Sequence, residues 1–190
     1  MTIHRILDQI SQALKLNTYW EDLRVTVNSV KVSGTRPPEW TDYKGGQVLA
    51  FEDQAVEGNE EIVYFTVQLP HAWKYGSDLH AHVHWVPEDN TAGNVRWKLT
   101  ASWANIGGVF PTETEYTVDA AAPAVADTHS LAELGELDGT GKTLSSMIVC
   151  SLSRNSSHAN DTLTGKDAYL LEIDFHYEID SFGSDNEYTG

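Results

Sequence analysis

Residues 78–86 read DLHAHVHWV, and residues 95–103 read VRWKLTASW. Both alternate strictly. Successive side chains of an extended strand point to opposite faces. Leu79, Ala81, Val83 and Trp85 therefore share one face, and Asp78, His80, His82 and His84 share the other. The first set reads as a core face. Further β-branched or aromatic runs lie at Leu23–Val32, Gln47–Phe51, Glu61–Leu69, Glu115–Val118, Ser146–Leu152 and Ala168–Ile179. Gly, Pro, Asn and Asp separate them, with Gly34 and Pro37-Pro38 closing the first. No helical pattern stands between successive strands. The expectation is an all-β fold, an antiparallel β-sandwich of about eight strands, with a jelly roll as its leading form.

Outside this body the pattern changes. Ile3, Ile6, Leu7, Ile10, Ala13 and Leu14 recur at helical spacing. They predict a short N-terminal helical arm over 1–19. Such a helix is marginal alone in water and must dock on its own domain, a sister subunit or a larger partner. The sandwich is expected over 20–180. An Ala- and Gly-rich insert at 120–143 and a polar C-terminal tail at 181–190 complete the plan.

Composition narrows the function classes. The chain has 190 residues, 28 of them acidic and 12 basic, for a formal charge of −16. Nucleic-acid binding draws its affinity from clustered Lys and Arg, and anionic membranes attract the same residues. Neither partner is expected. The single cysteine, Cys150, excludes an internal disulfide and a Cys-rich zinc site. Its apolar neighbours predict a small buried hydrophobe rather than a nucleophile. There is no apolar stretch approaching the ~20 residues of a membrane span, and no pattern of a signal peptide. The expectation is a soluble protein made in a cytoplasm.

The histidine strand carries the most pointed chemistry. Three imidazoles on one strand face can chelate a first-row divalent ion. The local spacing also resembles the first motif of cupins, which are metal-binding jelly rolls: Gly76, then His82 and His84, then Glu88. That resemblance would make His82, His84 and Glu88 ligands, and His176 is the best candidate for a further one. The family's next Gly is replaced by Val95, and its second motif has no counterpart. The alternative is a half-buried polar face or a subunit contact. Asp174 and His176 share a face of their strand and could form an acid–base pair. Glu172 and Glu178 lie on that face too, opposite Tyr169, Leu171, Ile173, Phe175, Tyr177 and Ile179.

Other signals are weaker. Gly139-Thr140-Gly141-Lys142-Thr143 resembles the end of a phosphate-binding loop, but the first Gly is displaced and no buried strand precedes it. There is no G-x-S-x-G elbow. Trp73, Trp85, Trp97 and Trp103 are expected in the core or a subunit contact, with a sugar-binding aromatic platform as the alternative.

Three blocks, at 63–85, 95–111 and 168–184, resemble virion proteins of tailed bacteriophages, and within them the jelly-roll capsid cement, or decoration, proteins. The resemblance implies a homotrimer on the capsid exterior with the major capsid protein as partner, no enzymatic activity and no cofactor. Candidate partner-binding residues are then Ile3, Ile6, Leu7, Ile10 and Leu14 of the arm, and His80, His82 and His84. A tail or fibre component, a cupin-like metal-dependent enzyme and a carbohydrate-binding module are the competing classes.

Overall fold

A computed structural model describes residues 18–53 and 58–187. The helical arm expected over 1–19, with Ile3, Ile6, Leu7, Ile10 and Leu14, lies outside the described residues except at its last two positions. Tyr19 already belongs to a strand.

The strands in chain order are β1 (Tyr19–Thr26), β2 (Lys31–Val32), β3 (Glu39–Tyr43), β4 (Gly46–Phe51), β5 (Ile62–Gln68), β6 (Leu79–Pro87), β7 (Asn94–Ala104), β8 (Thr114–Ala121), β9 (Ser130–Leu137), β10 (Met147–Arg154) and β11 (Ala168–Ile179). All pairings are antiparallel. One sheet runs β3-β4-β11-β6-β9, with β1 also on β11; the other runs β2-β5-β10-β7-β8. The two-sheet antiparallel sandwich is thus as expected. The count of about eight strands is corrected to eleven among the described residues.

Each extra strand has a physical reason. The apolar run at 23–32 is broken by a 3-10 turn at Val27–Ser29, which carries the chain from one sheet to the other. One expected strand becomes two. β3 reads EWTDY and is mostly exposed, so it lacks a core signature. A two-residue turn, Lys44-Gly45, folds it onto β4; both residues have positive φ, 49° and 84°. That conformation gives a hairpin turn the twist of its strands. The third, β9, lies inside the segment expected as an insert. Its core contacts come from Ala132, Leu134 and Leu137, separated by Glu and Gly that mask the alternation.

One core fills the sandwich. Leu79, Ala81, Val83 and Trp85 are fully buried, as the alternation required. Trp97 packs edge-on against Phe51 and Trp85, at 5.3 and 6.2 Å between ring centres. Trp73, Trp85, Trp97 and Trp103 are all buried, so none can serve as a surface platform. Cys150 is also in the core, and burial pushes its thiol up to about 12. It is inert at neutral pH.

The alternation expected along β11 holds for Ile173, Phe175 and Tyr177 but not before them. The register against β6 shifts between Leu170 and Glu172. Leu171 is the extra residue, a β-bulge. Ala168 and Leu170 are consequently the core residues of the first half, and Tyr169 and Leu171 are not.

Polar groups at one end of the sandwich are held by Arg154, which is 1% exposed. It forks onto Asp161 through Nε and Nη2, at 2.9 and 2.7 Å. Its remaining N–H groups donate to the carbonyls of Phe51, Leu163 and Lys166. All five donors of the guanidinium are used.

Candidate functional site

The outward face of the larger sheet is a polar lattice whose rows follow from strand register. Asp22, His176, His80 and Glu136 lie side by side across β1, β11, β6 and β9. The next row is Arg24, Asp174, His82 and Glu133; the third is Thr26, Glu172, His84 and Leu131. The histidine strand thus meets the Asp174/His176 strand directly, and the two candidate sets of the sequence merge into one.

The middle of this lattice is buried although it faces away from the core. His82 is 6% exposed and Asp174 2%. The His82 and His176 rings stand 4.2 Å apart. Asp174 Oδ1 lies 3.6 Å from His82 Nδ1 and 3.5 Å from His84 Nε2, and its Oδ2 lies 3.1 Å from His176 Nε2. Asp22 Oδ1 approaches the same His176 nitrogen at 3.1 Å. His82 Nδ1 and Asp174 Oδ1 have no hydrogen-bond partner among the described residues. His82, Asp174 and His176 each offer a ligand atom, all within 4.8 Å of one another. Burial holds the His82 pKa below the ordinary imidazole range, helped by His176 beside it and opposed by Asp174 and Glu133.

Around this centre, His84 Nδ1 and His129 Nε2 are 2.8 Å apart, with their rings stacked. Arg24 forks onto the carboxylate of Glu172, with Nη2 at 2.7 Å. A depression of about 370 Å³ opens here, lined in part by Asp22, His84, His129, Leu171 and Asp174.

Glu88, expected as a ligand beside His82 and His84, is elsewhere. It lies just past the end of β6, accepts the Asp167 N–H at 3.1 Å and pairs with Lys166. The cupin spacing therefore does not build a site, because Glu88 is far along the strand from the His82 row. Asp174 takes the carboxylate's place. Its i,i+2 spacing to His176 was visible in the sequence, but the pairing of β11 with β6 was not.

A second depression, of about 450 Å³, sits at the start of β6. Its walls include Trp20, Tyr75, Asp78, His80, Glu136 and Glu178. Trp20 is 54% exposed and Tyr75 55%. Trp20 stands edge-on against His80, with ring centres 5.0 Å apart, and Tyr75 leans on buried Trp73 at 6.2 Å. The loop bearing Tyr75 is stitched to β11: Trp73 bridges Ile179, the Lys74 N–H donates to the Glu178 carbonyl at 2.7 Å, and Lys74 Nζ pairs with the Glu178 carboxylate. The floor needs Gly139, where a Cβ would stand 1.8 Å from the Ser77 carbonyl oxygen. Asp78 Oδ1 accepts the Gly139 N–H at 2.9 Å. That close approach explains Gly139, and a φ of 72° explains Gly141; Lys142 turns onto the Trp103 carbonyl at 2.9 Å instead of toward a phosphate. Neither Trp20 nor Tyr75 stands out in the sequence, where the apolar strand pattern starts only at Leu23.

No protein-family profile matches the sequence, and no curated protein matches it. Among solved structures, the chain is similar to a CBM35 module from Cellvibrio japonicus, at 12% identity, 82% of this chain, 92% of that chain and TM-score 0.49. It is also similar to the CBM22-2 xylan-binding domain from a Paenibacillus barcinonensis protein, at 9% identity, 84% of this chain, 98% of that chain and TM-score 0.44. A family 35 carbohydrate binding module from Clostridium thermocellum follows at 9% identity, 80% and 97% coverage and TM-score 0.40. The resemblance to tailed-bacteriophage cement proteins is corrected here: the three similar structures named above are carbohydrate-binding modules, not virion components. The roles drawn from that resemblance fall with it: capsid decoration, the homotrimer on a shell, the tail or fibre variant and the major capsid protein as partner. The three sequence blocks are strands of a β-sandwich, and strand alternation with buried aromatics is common to sandwiches of unrelated function.

Proposed function

We propose that this protein is a non-catalytic carbohydrate-binding sandwich of jelly-roll type, whose groove between Trp20 and Tyr75 takes a neutral polysaccharide. The observation that carries this reading is the pair of half-exposed aromatic rings on the walls of a polar groove. An aromatic face supplies a flat apolar surface for the C–H face of a sugar ring at little entropic cost, because each ring is already held by a neighbour. Asp78, His80, Glu136 and Glu178 surround the rings with groups able to bond sugar hydroxyls. Three carboxylates against one lysine disfavour a polyuronate.

Affinity electrophoresis against soluble xylan, mannan and mixed-linkage glucan tests this. Xylan is included because one of the similar domains is named for it. At least one neutral glycan is expected to retard the protein, and polygalacturonate is not. Trp20→Ala and Tyr75→Ala are each expected to weaken binding about tenfold, the loss of roughly one aromatic stacking contact. Unchanged mobility in every neutral glycan would overturn the reading. Wild-type affinity in both variants would move the binding surface elsewhere.

A further inference from the structure

We propose that His82, Asp174 and His176 bind one first-row divalent transition ion, of the zinc class, on the outer face of the larger sheet. This is independent of the glycan groove.

His82 Nδ1 and Asp174 Oδ1 have no hydrogen-bond partner among the described residues, although their side chains are only 8% and 3% exposed. A buried polar group without a partner is costly, and a carboxylate more so than a neutral group. Both atoms face the same small volume, 3.6 Å apart. That is too long for a hydrogen bond and suitable for two ligands of one ion. Zinc holds nitrogen and oxygen ligands at about 2.0–2.2 Å in a tetrahedron, which places neighbouring ligand atoms roughly 3.3–3.6 Å apart. The spacings of Asp174 oxygens to His82 Nδ1 and His176 Nε2 are 3.6 and 3.1 Å. They bracket that range, and all the ligand atoms of the set lie within 4.8 Å of one another.

Donor chemistry selects the ion. Two imidazoles and one carboxylate suit zinc, copper, nickel or iron, whereas calcium and magnesium require mostly oxygen. The scaffold is rigid, since His82 and Asp174 are register partners on adjacent strands and His176 is two residues further on. Three protein ligands leave a fourth position. Asp174 and His176 also line the depression shared by Asp22, His84 and His129, from which solvent or the His84 Nε2, 3.5 Å from Asp174 Oδ1, can complete the shell. The ion would cross-link β6 to β11, the central pair of the sheet.

The test uses untagged full-length protein, stripped with EDTA and titrated with Co²⁺ and then Zn²⁺. One equivalent of Co²⁺ is expected to give visible d–d absorption, and Zn²⁺ is expected to displace it. Free zinc at about a hundred times its Kd should raise Tm by roughly 5–10 °C. Mg²⁺ at the same concentration should do neither. His82→Ala and His176→Gln should each weaken binding by about a hundredfold or more, while His129→Ala should retain the Co²⁺ spectrum. His176 is partly exposed, so the His176→Gln variant keeps the core intact, and continued protection of the Cys150 thiol reports that it is folded. Failure of the wild-type chain to take up one equivalent, or equal affinity in folded His176→Gln, overturns the proposal.

Discussion

Replacing Arg154 with alanine is expected to lower the unfolding free energy by about 3–5 kcal/mol, the range for breaking a buried ion pair from one side. The size follows from what remains. Asp161, whose side chain is 1% exposed, would keep its charge and lose the guanidinium. It would retain the Arg96 N–H at 2.9 Å as a donor. The carbonyls of Phe51, Leu163 and Lys166 would lose their Arg154 donors as well. Arg154→Lys should recover only part of the loss, since an ammonium cannot span both carboxylate oxygens and three carbonyls. Adding Asp161→Asn to Arg154→Ala should regain stability, because the orphaned charge is removed. Urea unfolding followed by tryptophan fluorescence measures all four chains. A loss below about 1 kcal/mol in Arg154→Ala, the size of an exposed pair, would show that this guanidinium does not hold the 155–167 segment to the sheets.

Glu61→Gln is expected to stabilise the protein at alkaline pH and to do little in acid. Burial raises the Glu61 carboxyl from 4.5 to about 7, aided by Glu52 and Asp167, and opposed by the Glu52 N–H and by Arg154. The Glu52 N–H donates to Glu61 Oε2 at 2.7 Å, an acceptor that glutamine keeps. A raised folded pKa means that the native state binds the proton more tightly than the unfolded chain. The stability this confers is fully present below about pH 4.5 and is lost as pH rises through about 7. At about 1.4 kcal/mol per pKa unit, the difference approaches about 3 kcal/mol above pH 8. Urea midpoints of the two chains should therefore converge near pH 4.5 and separate steadily to pH 8.5, with Glu61→Gln the higher. Parallel midpoints across that window would place the proton elsewhere.

The sandwich was legible because its central strands carry an uninterrupted period of two: β6 and β7 appear in the sequence almost residue for residue. Strands at the margins were less so. β3 has little to bury, and β9 buries Ala132, Leu134 and Leu137 interleaved with Glu and Gly, so neither carries the β-branched signature that marks a strand. The Ala168–Ile179 run was recognised as a strand, but its bulge was not, because alternation on either side of the extra residue is regular. For the site, the sequence identified both halves, His80/His82/His84 and Asp174/His176, and set His176 with the first, but not the register that makes Asp174 the partner of His82. Glu88 was favoured over Asp174 by a local spacing, whereas the actual partner comes from 92 positions further along the chain than His82. Long-range register cannot be read from a local pattern. The aromatic groove was missed for a different reason: Trp20 and Tyr75 differ from core aromatics only in where the fold leaves them.

The extra residue in β11 also governs how this chain tolerates a change in length. Removing Leu171 would leave Leu170 inward and Glu172, Asp174 and His176 outward, in step with β6. Removing a residue from the regular stretch beyond it would exchange inside for outside over part of the strand, pressing charges into the interior and turning Phe175 to water. Leu171 is a slack link in an otherwise taut ribbon, where the gene can lose a codon without turning the sheet inside out.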